Sequence, residues 1–124
     1  METKTATSIF ESLSSGWRLE AFRLLVKQGP EGMVAGDIAS ALDIAPSSLS
    51  FHLKALTYAG MVTVEQEGRF QRYRANIPLM LDLIAYPTEE CCSGNPQQCV
   101  DLRAASSCSD ALLPPIPLKQ EAKS

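Results

Sequence analysis

Apolar residues recur at helical spacing through most of the first 86 positions of this chain, and the breaks between runs fall at glycine, proline and small polar residues. Ala6, Ile9, Phe10 and Leu13 predict a short amphipathic helix over 6–14. Beyond Ser14-Ser15-Gly16, the stripe Trp17, Ala21, Leu24 and Leu25 predicts a second helix over 17–28, with Arg18, Glu20, Arg23 and Lys27 largely outside it and Gly29-Pro30 as its stop. Ile38, Ala39 and Leu42 predict a third over 35–42. Asp43-Ile44-Ala45 reads as a tight turn, after which Pro46 suits the first position of a helix because its missing N–H is not needed there. That helix, 46–59, turns Leu49, Leu53 and Leu56 inward and leaves Ser47, Ser48, Ser50, Phe51, His52 and Lys54 facing elsewhere, with Gly60 as a left-handed cap.

The period then shortens to two. Met61–Gln66 and Arg69–Ala75 read as strands, with Val62 and Val64 alternating against polar neighbours and Glu67-Gly68 as the turn. Residues 77–86 form a last helix, apolar on nearly every side, which is expected to pack on a second subunit together with the helix at 6–14. Two short helices joined by a tight turn and followed by a hairpin make the expected fold mainly α with a small β-hairpin wing: a winged helix-turn-helix, as a homodimer. The domain organisation read from this pattern is a DNA-binding and dimerisation domain over 1–90, a cysteine-containing segment over 91–113, and a Pro-led tail over 114–124 expected to be disordered.

The net charge of −3 argues at first against a nucleic-acid partner, so its distribution matters more than its sum. Residues 46–76 carry Lys54, Arg69, Arg72 and Arg74 against Glu65 and Glu67, while both flanks are acidic. One modestly basic segment on an acidic body suits a small DNA-reading face. Small polar side chains at the start of helix 46–59 let its backbone approach the major groove. The arginines of the hairpin are placed for phosphates or the minor groove. His52 is placed for a phosphate or capping contact, and each has a plainer reading: Ser47, Ser48 and Ser50 as favourable first-turn residues, Phe51 as partly buried, and His52 as a purely structural hydrogen-bonding residue.

Residues 50–62, Ser-Phe-His-Leu-Lys-Ala-Leu-Thr-Tyr-Ala-Gly-Met-Val, resemble the ArsR/SmtB family of winged-helix repressors, whose pattern is Ser-x-His-Leu-x-x-Leu-x-x-Ala-Gly-Leu-Val. Met61 is the one conservative departure, and Gly68-Arg69 with Tyr73-Arg74 match the family's wing. The resemblance covers residues 6–90. It implies a homodimer on an inverted-repeat operator, released when a metal or metalloid binds.

The candidate inducer site is a cluster of thiols. Cys91, Cys92 and Cys99 fall within nine residues, Cys108 follows, and the first 90 positions hold no cysteine. No apolar run approaches the roughly 20 residues of a membrane span, and the N-terminus lacks a secretory signal, so a cytoplasmic, thiol-reducing setting is expected. There, clustered cysteines favour metal or redox chemistry over a disulfide framework. The last helix offers only Asp82 and the chain one histidine, which disfavours a nitrogen-rich zinc or nickel site. The stretch 34–39, where one class of arsenite repressors in the family carries its cysteines, has none, and neither does the N-terminal segment used by cadmium and lead sensors. Cys91-Cys92 with Cys99 resembles a third class, the arsenite repressors with an adjacent pair and a third cysteine near the C-terminus.

Trivalent arsenic and antimony keep a lone pair and favour three sulfurs in a pyramid. As(III) or Sb(III) is therefore the expected inducer. A thiol-oxidation sensor and a Cd/Zn-responsive thiolate sensor stand as alternatives, the latter drawing on Cys108 as a fourth ligand rather than a spare thiol. No catalytic cofactor is expected. Catalysis of the phosphatase-like arsenate reductase kind needs Cys-x5-Arg, and the positions six beyond each cysteine are Gln97, Gln98, Ala105 and Pro114.

Overall fold

The computed structural model describes residues 1–89; Cys91, Cys92, Cys99 and Cys108, and the tail expected over 114–124, lie outside the described residues. Two compact units divide the chain at Met80/Leu81.

The first unit contains helices α1 (Thr3–Ser12), α2 (Gly16–Gln28), α3 (Ala35–Leu42) and α4 (Pro46–Tyr58), strands β1 (Met33–Val34), β2 (Val62–Glu67) and β3 (Phe70–Ala75), and the start of α5 (Ile77–Ala85). Its core is apolar and drawn from every layer: Leu25 from α2, Ile38 from α3, Leu49, Leu53 and Leu56 from α4, and Met61 and Val62 at the base of the hairpin are all essentially inaccessible. α4 packs on both α2 and α3, and α2 on β3, so the position of α4 is set by the core and not by its own exposed residues.

Backbone chemistry explains the joints. α3 ends at Asp43, the one non-glycine residue with positive φ among the described residues (54°), and the Ile44 N–H returns to the Ala39 carbonyl at 3.1 Å. A short acidic side chain tolerates this left-handed geometry better than a branched one. α4 closes with Gly60 at φ 85°, its N–H on Thr57 O (3.0 Å) and the Met61 N–H on Leu56 O (3.0 Å), the paired bonds of a Schellman cap. Asn76 then joins two elements: its N–H donates to Met61 O (2.8 Å), its Nδ2 to Gly60 O (2.8 Å), and its Oδ1 accepts from the Leu79 N–H (3.3 Å), capping α5.

The structure corrects four expectations. The sheet has three strands in the order β1-β3-β2, with Met33 opposite Tyr73 and Val62 opposite Ala75, so the hairpin is anchored by a strand not expected from the sequence. The inter-strand turn is at Gly68-Arg69, one residue later than expected, with Gly68 at φ 60°. Val64, two residues out along the hairpin from buried Val62, is exposed. In α2 the buried face is Ala21, Phe22 and Leu25, and Trp17 is 47% exposed.

Gly32 precedes β1 at φ 61°, and a Cβ built there would overlap the Tyr73 carbonyl and come within 2.7 Å of Arg74 Cγ. Backbone on one side and positive φ on the other leave no room to relax. Gly32→Ala is therefore expected to cost at least about 2 kcal/mol and lower the melting temperature by roughly 10 °C, measured by circular dichroism. Tyr73, on the same strand pair, donates its hydroxyl to Gln71 Oε1 (3.2 Å), and burial pushes its phenol above the usual range.

Of the second unit, residues 81–89 are described. They comprise the last turns of α5, with Leu83 buried and Leu81 exposed, and a 3-10 turn over Tyr86–Thr88, where the Thr88 hydroxyl bonds Ile84 O and Ala85 O. Among the described residues no helix is long and apolar enough to cross a membrane.

Candidate nucleic-acid interface

At about 100° per residue, Leu49, Leu53 and Leu56 mark one pole of α4. The opposite pole falls among Ser47, Phe51, Lys54 and Tyr58, which share an arc of roughly 60°. All four are exposed, as are Ser48 and Ser50 on the flanks. Burying the leucines therefore fixes which residues look outward. Phe51 is 69% exposed and Tyr58 94%, unusual for aromatic side chains on so small a body. Phe51, for which the sequence allows either core or surface, is on the surface, and Tyr58, which no pattern of small polar or basic residues marks, shares its face through a spacing of seven.

His52 is half-buried. Among the described residues its Nδ1 is enclosed without a hydrogen-bond partner, and its ring meets Phe51 edge-on, with centroids 5.7 Å apart at 68°.

The wing distributes its cations unequally. Arg72 Nε bonds both carboxylate oxygens of Glu67 at 3.0 Å, and its Nη1 donates to Glu31 O at 3.0 Å. Arg74 Nη1 pairs with Glu65 Oε1 at 2.7 Å while its Nε donates to Pro30 O at 2.9 Å. Both ion pairs run diagonally between β2 and β3, and both arginines also tie the hairpin to the 3-10 turn Gly29–Glu31. Arg69, at the tip, is exposed and makes no hydrogen bond or ion pair among the described residues. It lines an open cleft of about 330 Å³ with Ala35, Gly36, Gln66, Phe70 and Gln71, between the first turn of α3 and the wing. Of the residues read from the sequence as DNA-binding, the structure thus gathers Ser47, Ser48, Ser50, Phe51 and Lys54 on or beside one exposed face. It sets His52 at that face's edge and Arg69 at the wing tip, and engages Arg72 and Arg74 internally. Among the described residues no group of three or more His, Cys, Asp or Glu side chains is placed to hold a metal ion.

A helix pair whose second member presents a polar and aromatic face, braced by a hairpin with an outward arginine, defines a winged helix-turn-helix DNA-binding protein. A helix-turn-helix domain family matches residues 13–65, and over 77 residues the chain is 34% identical to the transcriptional repressor SdpR of Bacillus subtilis (strain 168), a match spanning 62% of this chain and 82% of that protein. Among solved structures, an ArsR-like transcriptional regulator from Rhodococcus sp. RHA1 is similar with a TM-score of 0.62 at 25% identity, covering 85% of this chain and 96% of that one. The homodimeric winged helix-turn-helix DNA-binding domain of Mb0332 from Mycobacterium bovis, described as a possible ArsR-family regulator, gives 0.56 at 27% identity, covering 70% and 81%. The chain belongs to the ArsR family of winged helix-turn-helix transcriptional regulators. Its relatives are regulators of transcription, not enzymes.

Proposed function

We propose that this protein is a transcriptional repressor that binds an inverted-repeat operator as a homodimer and leaves it when As(III) or Sb(III) is captured by Cys91, Cys92 and Cys99. The observation that carries the DNA-binding part is the outward face of α4, set opposite a fully buried leucine stripe. The dimer would form through α1 and α5: Phe10 of α1 is 50% exposed, and α5 is apolar almost throughout. Mb0332, similar in fold, is a homodimer. Two α4 helices then stand about 34 Å apart on successive major grooves, with the wings over the flanking backbone. The inducer part rests on the sequence. Three thiolates within nine residues suit a soft, pyramidal metalloid, and they follow α5 directly.

Selection of binding sites from random duplex DNA, followed by footprinting, tests the DNA-binding part: two symmetric half-sites about one helical turn apart are expected. A single unpaired site would refute the dimeric arrangement. Arg69 supplies a phosphate contact in this scheme, whereas Arg72 and Arg74 are already neutralised by carboxylates. Arg69→Ala is therefore expected to weaken binding almost equally on all sequences and to reduce the slope of log affinity against log salt by about 1 per subunit, read by fluorescence anisotropy.

A further inference from the structure

We propose that Phe51 is a specificity-determining residue that reads the 5-methyl group of a thymine in each half-site of the operator. This rests on the reading of α4 as the DNA-contacting helix and goes beyond it by naming the base and the atom recognised.

Phe51 lies within about 15° of the pole opposite the leucine stripe, so on a helix laid into the major groove it points at the floor. Lys54 and Tyr58 share its face toward the C-terminal end of the helix; toward the N-terminal end, which reaches the base edges, its neighbours are Ser47, one turn earlier, and Ser50, both too short to hold the helix away from the bases. A phenyl ring has no hydrogen-bond donor and no strong acceptor, so it cannot read the polar edges of the bases. The one apolar group those edges present in the major groove is the thymine C5-methyl. Among the described residues its ring is left 69% exposed. Its edge-on contact with half-buried His52 restrains the ring without satisfying its apolar area. A phenylalanine this exposed among the described residues gains most where a methyl group meets it. Two-fold symmetry places one such thymine in each half-site, at matching positions.

The test uses the reduced full-length protein and the operator obtained by selection. Each thymine is replaced in turn by deoxyuridine, which removes only the methyl group. Wild type is expected to lose about fourfold in affinity at one position per half-site, and roughly fifteenfold when the symmetric pair is replaced, the worth of one buried methyl each. Phe51→Ala is expected to bind the thymine operator about as weakly as wild type binds the deoxyuridine one, and to be indifferent to the substitution. Phe51→Leu, which keeps an apolar side chain, retains part of the discrimination. Matching far-ultraviolet circular dichroism and melting curves establish that both variants fold. Wild type indifferent to deoxyuridine at every position overturns the assignment, and so does a folded Phe51→Ala that still prefers thymine. Either result leaves α4 as the DNA-contacting helix. A selection that enriches no sequence at all instead overturns the operator-binding reading itself, and this inference with it.

Discussion

Replacing any one of Cys91, Cys92 or Cys99 with serine is expected to abolish the proposed As(III)-driven release of the protein from its operator, whereas Cys108→Ser is expected to leave release intact. A pyramidal As(III) centre takes three sulfur ligands, and a serine hydroxyl is too hard a donor to stand in for one. Loss of a single thiol therefore removes the closed three-sulfur complex and not merely a third of its affinity. The response expected to be lost is sizeable. Allosteric coupling of about 1–3 kcal/mol corresponds to operator binding weakened roughly 5- to 150-fold, and linkage requires DNA to weaken As(III) binding by the same factor. Anisotropy titrations with As(III), Sb(III), Cd(II), Zn(II) and peroxide on wild type and the four serine variants measure this directly. Release by peroxide, reversed by a thiol reductant and without an As(III) response, would instead make the protein an oxidation sensor. Release by Cd(II) or Zn(II) that fails in Cys108→Ser would point to a four-thiolate site.

The second large effect belongs to the scaffold. Leu53 is fully buried at the centre of the α4 stripe, between Leu49 and Leu56, and α4 packs there on α2 and α3. Leu53→Ala is expected to cost about 2–5 kcal/mol, the lost transfer energy plus that of the cavity left behind. Against a typical domain stability of roughly 5–15 kcal/mol this is a substantial share. In urea denaturation the midpoint should fall with little change in slope, because the unfolded chain is altered far less than the native core. Ser47→Ala, on the opposite pole, should stay within about 0.5 kcal/mol of wild type and act on DNA affinity alone. A Leu53→Ala midpoint equal to wild type would show that the stripe does not hold α4 in place.

The helix-turn-helix was legible because each of its boundaries is chemical: Pro46 opens α4, Gly60 closes it, and the three leucines fall at helical spacing between them. The face presented to DNA followed from the same leucines. β1 was not legible because two residues contain no period, and it exists only through pairing with β3, forty residues away in sequence. The buried face of α2 keeps Ala21 and Leu25 from the expected stripe but takes Phe22 in place of Trp17 and Leu24, because Trp17, Leu19, Phe22, Leu24, Leu25 and Val26 put apolar groups on more than one side and only the neighbours decide which side is covered. Charge counting found Arg69, Arg72 and Arg74 equivalent. Their inequality comes from the Pro30 and Glu31 carbonyls, which no local pattern brings to the wing. The thiol cluster is visible in the sequence as composition and spacing, and it lies outside the described residues.

Asn76 makes the end of the reading helix and the start of the last helix a single articulation. Its three hydrogen bonds grip the Gly60 and Met61 carbonyls on one side and the first turn of α5 on the other, and even a methyl group on Gly60 would press on Leu79 at 3.3 Å. Within the first unit, one amide side chain thus holds the closing turn of α4 and the opening turn of α5 together, so that loosening Asn76 would free both at once.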